Sequence, residues 1–261
     1  MDKGIIQLNI VQFSMIYLLL LAVLFIMKKA KINQSKLLFT ASLKMSVQLF
    51  LSGLLLTYIF DNPHPIFVVL YLLSMVAFST QRILKRNAFL NKEFKRLIFF
   101  TLGFSGISVV AFFVGIVVQT DLFNPQYMIP IGGMIIGNAM NGLSLGIKTL
   151  SETMDFEKIK VETLLNMGVE PKDILIPFVN GALETALLPT LNNMLNMGII
   201  SLPGMMTGQI LSGTMPMTAI VYQIAIMIAI KTGASLASFS TLYLGYRTLI
   251  NNRKQIEWDY K

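Results

Sequence analysis

The sequence predicts an all-α, polytopic membrane protein of about seven transmembrane helices, and three observations predict it. Hydrophobic residues make up 54% of the 261 positions and charged residues only 13%, well below the charged share of soluble domains, which is roughly 25%. The apolar residues fall in stretches long enough to cross a hydrocarbon layer about 30 Å thick. Lysine and arginine concentrate in every second link between those stretches. The net charge of +8 therefore reflects membrane topology rather than nucleic-acid binding, because the basic residues sit beside apolar spans. Cysteine is absent, so disulfides, thiolate metal ligands and cysteine nucleophiles are excluded, and redox chemistry does not mark the compartment.

The first span, about Ile10 to Met27, closes on Lys28, Lys29 and Lys31 with no small-residue cleavage site beside it, and reads as a retained helix rather than a signal peptide. The second, about Leu37 to Phe60, is polar along its first half, where Lys44 lies close enough to the basic end to snorkel. Asp61 to Pro65 turns the chain back. His64, the sole histidine, sits there between two prolines and reads as an exposed loop residue, since no second imidazole or thiolate exists to complete a metal site. A third span follows, about Ile66 to Ile83.

Arg82 to Arg96 carries six basic residues against one acid, Glu93, and reads as a basic loop at the membrane surface. The fourth span, about Leu97 to Val118, ends in a link with Asp121, Asn124 and Pro125. The fifth, about Met128 to Leu150, contains Gly133-x3-Gly137 and Gly142-x3-Gly146, spacings that let helices approach closely in lipid. Asn138, Asn141 and Lys148 share one face of it.

Ser151 to Pro177 is the longest polar stretch. Glu162 to Met167 fits a short helix, Gly168 the left-handed position that ends it, and Pro171 the opening of the next. Such an element lies on a membrane rather than crossing it. The sixth span, Phe178 to about Ile200, carries Glu184 and a polar stripe of Thr185, Asn192 and Asn196. Ser201 to Pro216 is uncharged and broken by Gly204, Gly208 and Gly213. The seventh span, about Met217 to Leu244, holds Lys231 near its middle and leads into a basic tail.

The first, third and fifth links carry four, six and four Lys or Arg, the tail carries four, and the second, fourth and sixth links carry none. Seven spans with the N-terminus outside and the C-terminus in the cytoplasm satisfy the positive-inside rule throughout. The Glu162 stretch then lies in the cytoplasm.

Charged side chains at membrane depth are costly unless paired or hydrated. Glu184 and Lys231 are the two candidates, either as an ion pair with each other or facing a watery path. Asn138, Asn141, Asn192 and Asn196 offer amides to such a path. If Ser201 to Pro216 re-enters the membrane, Ser201, Thr207 and Gln209 line the path with them, since irregular backbone survives there only against protein or water. If it lies outside, it is an apolar surface loop. Twelve of the seventeen methionines fall from Met128 onward, which fits flexible packing between moving helices or thioether ligation of a soft ion. Gly142 to Thr149 departs from phosphate-loop spacing, so no nucleotide site or catalytic group is evident.

The order Glu162, Gly168, Pro177 resembles the Glu-Ala-Ala loop of ABC-transporter permeases, the cytoplasmic coupling helix that seats in the ATPase subunit. Leu188-Pro-Thr-Leu-Asn192 with Gly198 to Leu211, and Pro130-Ile-Gly-Gly-Met-Ile-Ile-Gly-Asn-Ala-Met-Asn141, are similar to two blocks of one ABC permease family, that of bacterial iron-export permeases and plant aluminium-tolerance membrane subunits. The resemblance covers nearly the whole chain. It implies one transmembrane permease domain over residues 1–261, with the coupling-helix loop at about 151–177. It also implies two copies working with two ATPase subunits that bind the ATP, no cofactor or enzymatic site in this chain, and iron export across the cytoplasmic membrane. Glu162, Gly168 and Pro171 would carry the coupling. Glu184 and Lys231 depart from the family's pattern and leave the substrate open. Another metal ion, a metal complex or a sugar nucleotide suits the same architecture. An ATP-independent channel or secondary transporter, with Ser201 to Pro216 as its filter, and a non-transporting membrane partner are the competing classes. Metal ligands are not identifiable from the sequence.

Overall fold

The structure, a computed structural model, describes residues 9–87, 90–251, 253 and 255–258; Lys254 and Lys261 of the basic tail lie outside them. Among these residues the chain forms nine α-helices and no strand: α1 (Ile10–Lys29), α2 (Ser35–Asp61), α3 (Pro65–Arg86), α4 (Lys92–Phe112), α5 (Pro125–Phe156), α6 (Lys158–Asn166), α7 (Pro171–Asn196), α8 (Gly204–Leu211) and α9 (Pro216–Gly245). A π-helical turn, Phe113–Val117, extends α4, and a 3-10 turn, Tyr246–Leu249, extends α9. Seven helices are long and apolar enough to cross a membrane, which matches the expected spans. The protein is a multi-pass membrane protein.

Helix boundaries follow capping chemistry more than hydropathy. Pro stands in the first turn of α3, α5, α7 and α9, where its missing N–H would have been unpaired anyway. Asn91 Oδ1 accepts from Phe94 N at 2.7 Å to cap α4, and Asn124 Oδ1 accepts from Gln126 N at 3.0 Å to cap α5. His64 is exposed, as expected, and also caps α3: its Nδ1 accepts from Ile66 N at 3.3 Å. The basic loop of the sequence is mostly helix, with Arg82, Lys85 and Arg86 ending α3 and Lys92, Lys95 and Arg96 opening α4. Likewise the polar stretch after the fifth span shortens, because α5 runs on to Phe156 and α7 starts at Pro171. Pro177 and Pro189 end nothing; both lie inside α7.

The chain divides into two compact units, the residues up to Pro63 with Gly208–Thr214, and His64–Thr207 with Met215–Lys261. In the first unit α1 packs along α2, with the Tyr17 and Ser46 hydroxyls 2.6 Å apart. No residue of α1 is buried, as befits a helix apolar all round in lipid. In the second unit α5 is the axis, packed by α3, α4, α7 and α9. Its Gly142-x3-Gly146 pair lies against α7: a Cβ on Gly142 would come within 2.8 Å of the Ala186 carbonyl oxygen, and one on Gly146 within 3.1 Å of the Ala182 oxygen. The two backbones therefore touch. Gly133-x3-Gly137 makes no such approach. A Cβ on Gly133 meets only the Met75 tip, and one on Gly137 meets nothing within 4 Å. Equal spacing on one helix thus has two fates, set by which face meets a neighbour.

Candidate functional site

At one end of the second unit gather the end of α3, the starts of α4 and α7, the ends of α5 and α9, and all of α6. Asn91 Nδ2 donates to Thr248 O at 2.7 Å, and Trp258 Nε1 donates to Asp155 Oδ1 at 3.0 Å, tying the start of α4 and the tail to this end. The link expected between Glu162 and Pro171 is there. Helix α6 stops at Asn166, Gly168 takes φ +83°, Gly168 N donates to Leu165 O at 3.0 Å, and Val169 N donates to Leu164 O at 3.1 Å. These are the two bonds of a Schellman cap, which a left-handed glycine makes without a Cβ clash. Pro171 is buried at the first turn of α7. Glu162 is exposed on α6 and lies 3.8 Å from Lys158 Nζ one turn earlier. The second helical piece is not a separate surface helix, because α7 continues unbroken from Pro171 into the bundle.

Beside this end, between α3 and α5, lies a cleft of about 620 Å³ lined by Arg86, Asn87, Asn141, Ser144, Lys148 and Glu152 among others. Asn141 and Lys148 face it together, as their shared helical face requires. Asn138 does not line it; its amide turns back to donate to Met134 O at 2.8 Å. Lys148 pairs with Glu152 at 3.5 Å. Asn87 is 3% exposed, its Nδ2 donating to Ile83 O.

The other residues expected along a path sit on α7 and beyond. Asn192 and Asn196 are exposed on α7, as is Glu184. Ser201 is exposed, with its carbonyl accepting from Gly198 N at 2.9 Å. Thr207 Oγ1 donates to Pro203 O at 3.0 Å within its own chain segment. Gln209 belongs to the first unit, and its Oε1 is buried without a hydrogen-bond partner. Gly204 and Gly208 do not break the chain here. Gly204 opens α8 and Gly208 lies inside it, while Gly213, at φ +99°, makes the turn.

Glu184 and Lys231 do not form the expected ion pair. Lys231 Nζ donates to Leu187 O at 3.2 Å, and no salt bridge among the described residues involves either side chain. Glu184 points off the exposed face of α7, whereas α9 places Lys231 against the α7 backbone.

Three features were missed in the sequence. The cleft brings Arg86 of α3 beside Glu152 of α5, residues far apart in sequence. Tyr243 Oη donates to Asn180 Oδ1 at 2.6 Å between α9 and α7. Gln223, 7% exposed on α9, keeps Oε1 buried with no partner; the one amide in a mostly apolar half-helix was the signal that could have marked it. Among the described residues no group of three or more His, Cys, Asp or Glu side chains is placed to hold a metal.

Residues 10–250 match the model of a family described as "Uncharacterised protein family (UPF0014)". The chain is 30% identical over 247 residues to the UPF0014 membrane protein YjkA of Bacillus subtilis, covering 94% of this chain and 96% of the relative. It is 33% identical over 214 residues to the probable iron export permease protein FetB of Escherichia coli, covering 80% of each. It is 34% identical over 158 residues to the protein ALUMINUM SENSITIVE 3 of Arabidopsis thaliana, covering 59% of this chain and 58% of that one. No solved structure matches.

Proposed function

The chain belongs to the UPF0014 family, and from that premise we propose that it is the permease subunit of an ABC transporter that moves a metal ion, iron first among candidates, out across the cytoplasmic membrane. The observation that carries the reading is the α6 link. A short exposed helix bearing Glu162 is held by the Gly168 cap and delivered by buried Pro171 directly into a 26-residue helix. That is the construction a separate ATPase needs to grip one surface element and move a span. The relative named an iron export permease covers 80% of this chain, which supports the cargo.

In this reading ATP is bound and hydrolysed by the partner subunit, and the permease is no enzyme. The N-terminus faces outward, and α6 and the C-terminus face the cytoplasm, because the basic links all fall on that side. Two copies face each other across the exposed strip of α7 that carries Glu184, Asn192 and Asn196. A carboxylate inside an apolar span is costly against lipid but not against a watery path shared by two subunits. Asn192, Asn196, Ser201 and Thr207 supply amides and hydroxyls along the route, ligands weak enough to release an ion as well as take it. The Lys231 amine, with only a backbone carbonyl as partner, favours an anionic cargo such as a sugar nucleotide as the second reading.

The test is copurification. The tagged permease, drawn from its own membranes, should bring with it an ATP-hydrolysing subunit, and Glu162→Lys and Gly168→Val should lose that subunit and its transport while still inserting. Retention of the ATPase at full yield with undiminished transport in both variants would remove the coupling role.

A further inference from the structure

Where α7 ends, a cavity of about 440 Å³ opens between its last turn, the segment after it, the first turn of α8 and the first half of α9. Met194, Met197, Met206 and Met227 line it, and Gln223 is the one polar side chain among its lining residues. Gln223 Nε2 lies 3.8 Å from Met197 Sδ, and its Oε1 is buried with no hydrogen-bond partner. Four methionines and a glutamine with an unanswered carbonyl oxygen thus line one otherwise apolar space. Methionine side chains have three rotatable bonds and can turn their sulfurs inward without backbone movement.

We propose that this cavity binds a soft monovalent cation of the Cu(I) class, held by the thioethers with Gln223 Oε1 as the oxygen donor. Thioethers select soft ions, whereas iron in its hydrated states prefers carboxylate and imidazole. No carboxylate or thiolate lines the cavity, and a divalent ion there would keep its charge unbalanced in apolar surroundings. A monovalent ion leaves the least charge to balance. The unpartnered Gln223 oxygen gives the site its acceptor, a role that packing alone leaves unexplained. The proposal concerns binding by this chain alone and is independent of the ABC reading, since it needs no ATPase.

The test uses the full-length permease purified in detergent and titrated with Ag(I), a redox-inert probe for the same ion class, in thiol-free and chloride-free buffer. One equivalent should bind per chain, and X-ray absorption at the silver edge should show sulfur neighbours, which in a cysteine-free chain are thioethers. The double variant Met197→Leu, Met206→Leu conserves side-chain volume and should raise the dissociation constant by about tenfold or more. Gln223→Leu should weaken binding as well, and Met167→Leu, on an exposed methionine outside the cavity, should not. Absence of stoichiometric silver binding, a spectrum of nitrogen and oxygen neighbours only, or equal affinity in the double variant and Met167→Leu would each overturn the proposal. The wild-type spectrum decides even if the double variant fails to fold.

Discussion

Replacing Gly142 by alanine tests whether α5 and α7 meet through their backbones. The added Cβ falls 2.8 Å from the Ala186 carbonyl oxygen, against a comfortable carbon–oxygen separation of about 3.3 Å. The oxygen belongs to the α7 backbone and cannot swing aside, so the helices must part by about half an ångström. Overpacking of this kind costs about 1–3 kcal/mol. Gly137→Ala is the matched control: it lies on the same helix in the same kind of motif, and its added Cβ meets nothing within 4 Å. Both substitutions gain about 0.5–1 kcal/mol of helix propensity, so that gain cancels in the comparison and the clash remains. At about 2–4 °C per kcal/mol for a unit of this size, Gly142→Ala should unfold about 2–12 °C below Gly137→Ala. The assay is thermal unfolding of detergent-purified permease followed by far-ultraviolet circular dichroism. A Gly137→Ala midpoint at or below that of Gly142→Ala would refute the backbone contact.

Single cysteines at Asp61 and Gln119 in this cysteine-free chain should react with an impermeant maleimide in intact cells, and ones at Lys92 and Lys160 should react only after lysis; the reverse pattern inverts the topology. Asn192→Leu should leave ATPase binding intact and remove metal-stimulated ATP hydrolysis in the reconstituted complex, whereas Asn124→Asp, which keeps the α5 cap, should behave as wild type. Asn124→Leu is not a neutral control, since losing that cap costs about 1 kcal/mol. Trp258 is the sole tryptophan and is 9% exposed, so Asp155→Ala should shift its fluorescence to the red and raise quenching by acrylamide; an unchanged spectrum would show that the tail docks without this bond.

The spans, their number and the α6 link were legible in the sequence because each rests on local chemistry. A run of apolar residues is a span wherever it sits, Gly168 takes a left-handed φ because α6 must end there, and proline starts a helix by what its own ring lacks. Helix ends were less legible from hydropathy, since polar first and last turns such as Lys92 to Arg96 are helical through caps rather than through apolarity. What only the tertiary structure decided is which face of each helix has a neighbour. Gly142 and Gly133 look alike in sequence, yet one touches the α7 backbone and the other a methionine tip. Glu184 and Lys231 look like a pair, yet α7 turns the first outward while α9 lays the second against a carbonyl. Gln223 is one amide among many until methionines of four segments close around it. Helical periodicity gives the angle between residues on one rod, but the rotation of that rod about its axis is set by close packing against the others, and those neighbours lie far away along the chain.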